Sequence, residues 1–304
     1  MTVENIENII KNVTPYIDGL IKRDLIERDL TILQRKHTIH AYQFAQGSPK
    51  EYLQQAKDRQ VQVDFLQISR ERFEQYMRQV DYDKNYPEYR KTYQSEKLLR
   101  KKALEHYLSL EVKNVVQKKC LLDVGVGTSP FGKIAQRFFG FENYYLLDFP
   151  RADLGIKPGV HGSLIGSNAD NIPLPDETVD FVVSHNAIEH FDGSSYSGFL
   201  KEAMRILVHG GNLVVLPLFY SRETFSYTSL HRWYRDKQIP SFIDQHVVVR
   251  EDISQPYSRH VSITTLCKEF IDQFRGSSNI KIIYFENFKE IEDSFPFALW
   301  AKKF

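Results

Sequence analysis

Apolar residues in the first 110 positions recur at helical spacing. Ile6, Ile9, Ile10 and Val13 make one stripe, and Ile17, Leu20, Ile21, Leu25 and Ile26 continue it past Pro15. Phe65, Ile68, Phe73, Tyr76, Met77 and Val80 make another. Gln46-Gly47-Ser48-Pro49 and Tyr86-Pro87 interrupt the pattern where a chain turns and a new helix begins. Leu98, Leu99, Ala103, Leu104, Tyr107, Leu108 and Leu110 then form a last helix. The polar positions between them are Gln, Lys, Arg, Glu and Tyr. The spacing predicts a helical N-terminal extension over residues 1–110, which caps a pocket or makes a homodimer. A stripe states that an apolar face is buried, not against whom.

The period changes near Glu111. Short apolar runs, Cys120–Val124, Tyr144–Leu147, Val179–Ser184 and Asn212–Leu216, alternate with the helical stretches Phe131–Phe139 and Phe199–Leu207. His209-Gly210-Gly211 reads as the left-handed cap of the second of these helices. Alternation of this sort means crossover units and a mainly parallel sheet, hence an α/β fold over 111–304. Ile280–Phe285 and Phe297–Lys302 are strands with too few residues between them for a crossover helix, so this last pair is antiparallel. Residues 219–257 form an insertion after the strand Asn212–Leu216.

The chain has 304 residues, 42% of them hydrophobic, enough for one large domain with an extension. Lys+Arg 40 against Asp+Glu 39 leaves a net charge of +1. No global field recruits nucleic acid or an anionic membrane. Two cysteines, Cys120 and Cys267, make neither a disulfide framework nor a zinc site, and no metal is expected. Met1–Asn12 lacks the basic start of a signal peptide, and no apolar stretch approaches the ~20 residues of a membrane span. The expectation is a cytoplasmic protein.

In an open α/β sheet, ligands bind beyond the carboxyl ends of the strands. The first strand ends in Asp123-Val124-Gly125-Val126-Gly127-Thr128-Ser129. Two glycines suit a backbone that bends tightly against a ligand. The third glycine of a dinucleotide loop is absent, and Asp123 would repel a diphosphate but attract an ammonium. A ligand with a positive amino group and no phosphate suits S-adenosyl-L-methionine. The second strand ends at Asp148, 148 − 123 = 25 residues on, one strand-helix-strand unit, as expected of a carboxylate that grips ribose hydroxyls. Asp153 is the alternative, and the competing reading of Asp148 is a helix-cap or turn aspartate. Asn168-Ala169-Asp170 opens a proline-fixed loop. There Asp170 could accept the adenine amino group while Ala169 and Ile172 sandwich the ring. The competing reading is a surface turn. After the strand Val179–Ser184 come His185 and His190, the best general-base candidates because histidine titrates near neutrality. His190 is preferred as base and His185 as a residue lining the cofactor. Either could be structural.

Asp123-Val-Gly-Val-Gly-Thr, Asp148, Asp170-Asn-Ile-Pro-Leu-Pro-Asp, Ile188-Glu-His-Phe and Leu207-Val-His-Gly-Gly-Asn-Leu stand in one order. In that order they resemble class I S-adenosylmethionine-dependent methyltransferases, most of all the type 11 subgroup. The resemblance covers about Leu121 to Leu218 well and Ser258 to Phe304 loosely. It implies a Rossmann-like sheet of seven strands with the last antiparallel, the glycine loop on the amino acid part, Asp148 on the ribose and Asp170 on the adenine. The chain departs from the family at Ser129-Pro130, where glycine and a small or polar residue are usual. In this fold the insertion overlies the pocket mouth, so substrate recognition would draw on His231, Arg232, Arg259 and His260. Arg232 or Arg259 could bind a carboxylate or phosphate bidentately, or the insertion is a flap with internal ion pairs among Asp244, His246, Arg250, Glu251 and Asp252. The activity expected is O-methylation of a hydroxyl on a small-molecule or glycan acceptor with a histidine base. The alternative is a non-catalytic scaffold that binds S-adenosylmethionine and uses the N-terminal helices as a partner surface.

Overall fold

Cys120-Leu121-Leu122-Asp123-Val124 is a strand buried on both faces, which is why it reads as a nearly unbroken apolar run rather than an alternating one. Leu121, Leu122 and Val124 are fully buried, and each contributes about 1.5–3 kcal/mol relative to exposure. The computed structural model that shows this describes residues 9, 11, 23–41, 47–112, 119–236, 240–250, 255–292 and 295–304. Ile6, Ile10, Val13, Ile17, Leu20, Ile21, Glu251, Asp252 and the side chain of Asp153 lie outside the described residues.

The strands of the described residues are β1 (Thr38–Ala41), β2 (Gln62–Leu66), β3 (Cys120–Val124), β4 (Asn143–Asp148), β5 (Gly159–His161), β6 (Leu164–Gly166), β7 (Val179–His185), β8 (Leu207–Leu216), β9 (Phe225–Thr228), β10 (His246–Val249), β11 (Tyr257–His260), β12 (Ser278–Phe285) and β13 (Phe297–Lys303). The chain divides into two compact units. The larger holds Ala56–Ile188, Ser197–Leu218 and Lys268–Phe304; the smaller holds Met1–Gln55, Glu189–Tyr196 and Phe219–Cys267.

The larger unit carries a nine-stranded sheet in the order β2-β12-β13-β8-β7-β3-β4-β6-β5. Seven neighbours, β12 to β6, are the expected Rossmann-like sheet, and β13 is the one strand among them that runs antiparallel to its neighbours, as expected. The two extra strands sit at the edges. β5 pairs antiparallel with β6, and β2 pairs parallel with β12.

β2 corrects the reading of Phe65 as part of a helical stripe. Gln62-Val63-Asp64-Phe65-Leu66 joins the sheet edge through β12, and Phe65 packs edge-on to Tyr284 at 5.7 Å. The helix begins only at Arg70, where Ser69 caps it by accepting from the Arg72 N–H. The glycine cap is corrected as well. The helix Ser195–Ile206 passes straight into β8 at Leu207, and Gly210, at φ +81, lies inside that strand. The pairing of β7 with β8 slips between Val179 and Phe181, so these glycines form a bulge rather than a helix end. The helix Glu96–Glu111 is as expected. It is buried at every residue from Ala103 to Ser109, so it is a core helix and not a surface one.

The smaller unit has its own four-stranded sheet, β1-β10-β9-β11, parallel except for β11. Its core gathers Leu30, Ile39, Leu230, Trp233 and Val249. The 219–257 insertion is therefore built on strands, and part of the N-terminal region shares its sheet. No helix of the described residues is long and apolar enough to cross a membrane.

Candidate functional site

The chain order reverses between β3 and β7, the position where an open α/β sheet leaves a crevice at its carboxyl ends. Asp123 stands near the end of β3, opposite Val183 of β7 and Leu146 of β4. It is 1% exposed, and its Oδ2 is buried without a hydrogen-bond partner. A buried carboxylate oxygen left open is costly, so the site is shaped for a donor that the protein does not itself supply.

The following turn is tied to β4, since the N–H groups of Gly125 and Val126 both donate to the Leu147 carbonyl at 2.8 and 3.2 Å. Gly125 takes φ +73, and a Cβ there would lie 2.2 Å from the Cβ of Ala187. Glycine is therefore required twice over, by conformation and by close approach. Gly127 takes φ +50 and donates its N–H to Asp148 Oδ2 at 2.6 Å. Asp148 Oδ1 accepts from the Phe149 N–H at 2.7 Å. Two lone pairs of that carboxylate remain for a diol. Thr128 is exposed at the tip.

Ser129, where the chain departs from the expected glycine, has a defined task. Its Oγ accepts from the Phe131 N–H at 3.2 Å and lies 3.1 Å from His106 Nε2. His106 is fully buried, and burial first, then the neighbouring His185, holds its pKa well below the usual value. The neutral ring can then donate from Nε2 to Ser129 while Nδ1 accepts from the Tyr82 hydroxyl at 2.8 Å. His185 closes the site's floor. Its Nδ1 lies 3.8 Å from Asp123 Oδ1, its Nε2 is 3.1 Å from Ser109 Oγ, and Phe131 packs edge-on against it at 4.7 Å.

The 168–176 loop is held from below. Arg205 donates to the carbonyls of Ile172 and Leu174 and to Asp176, and Glu202 accepts from the Ile172 N–H. Asn168 is exposed, Ala169 is buried, and Asp170 is half-buried against Gly198, where a Cβ would come within 2.5 Å of its own. Ile172 is only 2% exposed, so it packs inward and does not offer a face to a flat ring.

The remaining expected residues belong to the smaller unit. His190 ends the turn Ile188–His190 that follows β7 in the chain. Its Nδ1 is 2.7 Å from the Tyr257 carbonyl and must donate to it. Nε2, 3.5 Å from Glu189 Oε1, then carries the lone pair, on a side chain 34% exposed. Two of the substrate expectations meet structural partners instead. Arg259 is 1% exposed and gives its guanidinium to Asp244 at 2.8–3.1 Å, with Ser226 adding a bond to the same carboxylate, so the internal ion pair is what forms. His260 is stacked on Phe225 at 5.0 Å and flanked by Phe219 and Tyr227; burial pushes its pKa down to about 3, so it is a neutral aromatic core residue. His231 and Arg232 lie in the first turn of the helix Leu230–Asp236, where Ser229 Oγ accepts from the Arg232 N–H.

Sequence reasoning did not find Glu105, His106 and Ser109. They sit on the helix Glu96–Glu111 whose apolar stripe reads as packing alone. The signal was a polar pair and a serine inside a stretch with no exposed side.

These groups fit S-adenosylmethionine. An open, buried carboxylate oxygen suits an ammonium, a close-packed glycine turn suits an extended chain, and a carboxylate with lone pairs to spare suits a ribose. Residues 122–215, about a third of the chain, match the family model of a methyltransferase domain. No curated protein matches the chain. Among solved structures, it is similar to a SAM-dependent methyltransferase of Archaeoglobus fulgidus (18% identity, 72% of this chain and 99% of that one, TM-score 0.43). It is likewise similar to an S-adenosylmethionine-dependent methyltransferase of Mesorhizobium loti (14% identity, 65% and 96%, TM-score 0.43).

Proposed function

On a methyltransferase whose cofactor is S-adenosylmethionine, we propose that His190 is the general base for O-methylation of a small-molecule or glycan hydroxyl. When bound, the cofactor supplies an electrophilic methyl group on its sulfonium. Asp123 Oδ2 would accept the ammonium, Asp148 the ribose hydroxyls and Asp170 the adenine amino group. His190 Nε2 would take the proton of the acceptor hydroxyl as its oxygen gains the methyl group. Positioning and proton removal are all that such a displacement asks of the protein.

The observation that supports this reading is the Tyr257 carbonyl on His190 Nδ1, which fixes the tautomer and leaves Nε2 basic and partly open. The net charge of +1 favours a small or neutral acceptor over a polyanion. The test is transfer of labelled methyl from the cofactor to matched alcohol, amine and thiol acceptors and to a cell extract. Label in a hydroxyl product supports O-methylation. Label confined to nitrogen or sulfur rejects it.

A further inference from the structure

Three side chains on one face of the helix Glu96–Glu111 reach three different points around Asp123. Ser109 Oγ bonds His185 Nε2 at 3.1 Å, and His106 Nε2 lies 3.1 Å from Ser129 Oγ in the glycine turn. Glu105, 1% exposed, accepts from the side-chain amide of Asn186 and pairs with Lys102 at 3.3 Å. None of the three lies in the 122–215 segment.

The third contact bears on the site's geometry. Asn186 holds φ +47, a left-handed conformation that costs a non-glycine residue about 1 kcal/mol or more. Its neighbour Ala187 is the residue whose Cβ occupies the space above Gly125. The backbone of residue 186 thus determines where Ala187 stands, and Ala187 determines how closely the turn bearing Gly125 can approach. Two bonds hold Asn186 there, its N–H to the Leu216 carbonyl at 3.1 Å and its side chain to Glu105.

We propose that the Glu105–His106–Ser109 face is the positioning wall of the cofactor site, with Glu105 setting the Gly125 turn through Asn186. Glu105 is a positioning residue, in contact with Asn186 and Lys102. It acts by keeping residue 186 left-handed, and so by keeping the cradle for the amino acid end in the shape that Asp123 needs. The inference rests on the reading of the Asp123–Gly127 turn as the cofactor's seat.

The experiment is calorimetric titration of S-adenosylhomocysteine into the full chain, at a temperature where circular dichroism shows each variant folded. Glu105→Leu is expected to weaken binding about tenfold or more, and Asn186→Ala, which keeps the Glu105 carboxyl and its Lys102 partner in place and serves where Glu105→Leu does not fold, by a similar factor. Glu105→Gln keeps an oxygen for Asn186 and should stay within about threefold of the unmodified protein. Glycine adopts a left-handed φ freely. In an Asn186→Gly background, Glu105→Leu should therefore change affinity by less than about threefold. An effect of Glu105→Leu that is equally large in both backgrounds would overturn the proposal, as would Asn186→Ala binding as well as the unmodified protein. No heat from the unmodified protein would instead sink the cofactor seat itself, and this inference with it.

Discussion

His185 Nδ1 lies 3.8 Å from Asp123 Oδ1, and both that nitrogen and the Oδ2 of Asp123 are buried without a hydrogen-bond partner. Two open polar atoms side by side in the interior oppose folding and favour binding. Asp123→Asn is therefore expected to act in two directions. Removing the buried charge should raise the melting temperature of the ligand-free protein, by about 2 °C or more for each 1 kcal/mol recovered. Affinity for S-adenosylhomocysteine should fall at least tenfold, because an amide cannot match an ammonium as a carboxylate does. Thermal melts with and without the ligand read both effects. A variant that keeps the full ligand-induced shift would refute the role of Asp123.

Gly125→Ala adds a Cβ 2.2 Å from that of Ala187 in a backbone at φ +73. The expected loss is at least about 2 kcal/mol of stability, together with the cofactor affinity. The second change Ala187→Gly should restore part of both, since it removes the clash and leaves the conformational cost. Denaturant titration of the two variants separates these components.

His190→Ala should lower turnover by about 10²- to 10⁴-fold while leaving S-adenosylhomocysteine affinity within about twofold, as expected of a base that acts on the acceptor alone. Initial rates across pH, beside calorimetry, check it. A variant as fast as the unmodified enzyme at every pH would remove His190 from the mechanism.

His260 and His106 both titrate lower in the folded chain than their ordinary 6.5, chiefly because burial penalises the charged ring. As pH falls below 6.5 the unfolded chain binds protons first. The stability that these rings confer is complete above that pH and is lost progressively toward pH 3. The His260 shift to about 3 corresponds to on the order of 5 kcal/mol. Urea midpoints measured between pH 7.5 and 4 should fall steadily, and His260→Phe should flatten part of that slope. An unchanged slope would show that His260 is not the source.

The first strand-helix-strand unit was legible because its signals are local. β3 falls on Cys120–Val124 as its apolar run requires, and the Asp123-to-Gly127 turn and the Asp148 strand end follow within one crossover. The last pair is antiparallel for the reason that its short connection gave. β1 and β2 were hidden because their partners, β10 and β12, lie about 200 residues away, and four or five residues such as Thr38-Ile39-His40-Ala41 carry no periodicity of their own. Arg259 and His260 looked like recognition residues because charge and aromaticity mark binding surfaces. They fail because their neighbours come from elsewhere in the smaller unit, Asp244 from the bend before β10 and Phe225 from β9. Glu105 was invisible for the opposite reason, since a buried polar residue on an apolar helix has meaning only once Asn186 is beside it.

The pairing of Thr38 with His246 has a consequence for the growing chain. β1 leaves the ribosome 246 − 38 = 208 residues ahead of the strand it zips to. At ordinary elongation rates that is roughly 10 to 40 s during which an open edge waits for its complement. The four-stranded sheet thus cannot assemble until His246–Val249 has been made, and any truncation that stops short of Val249 orphans β1.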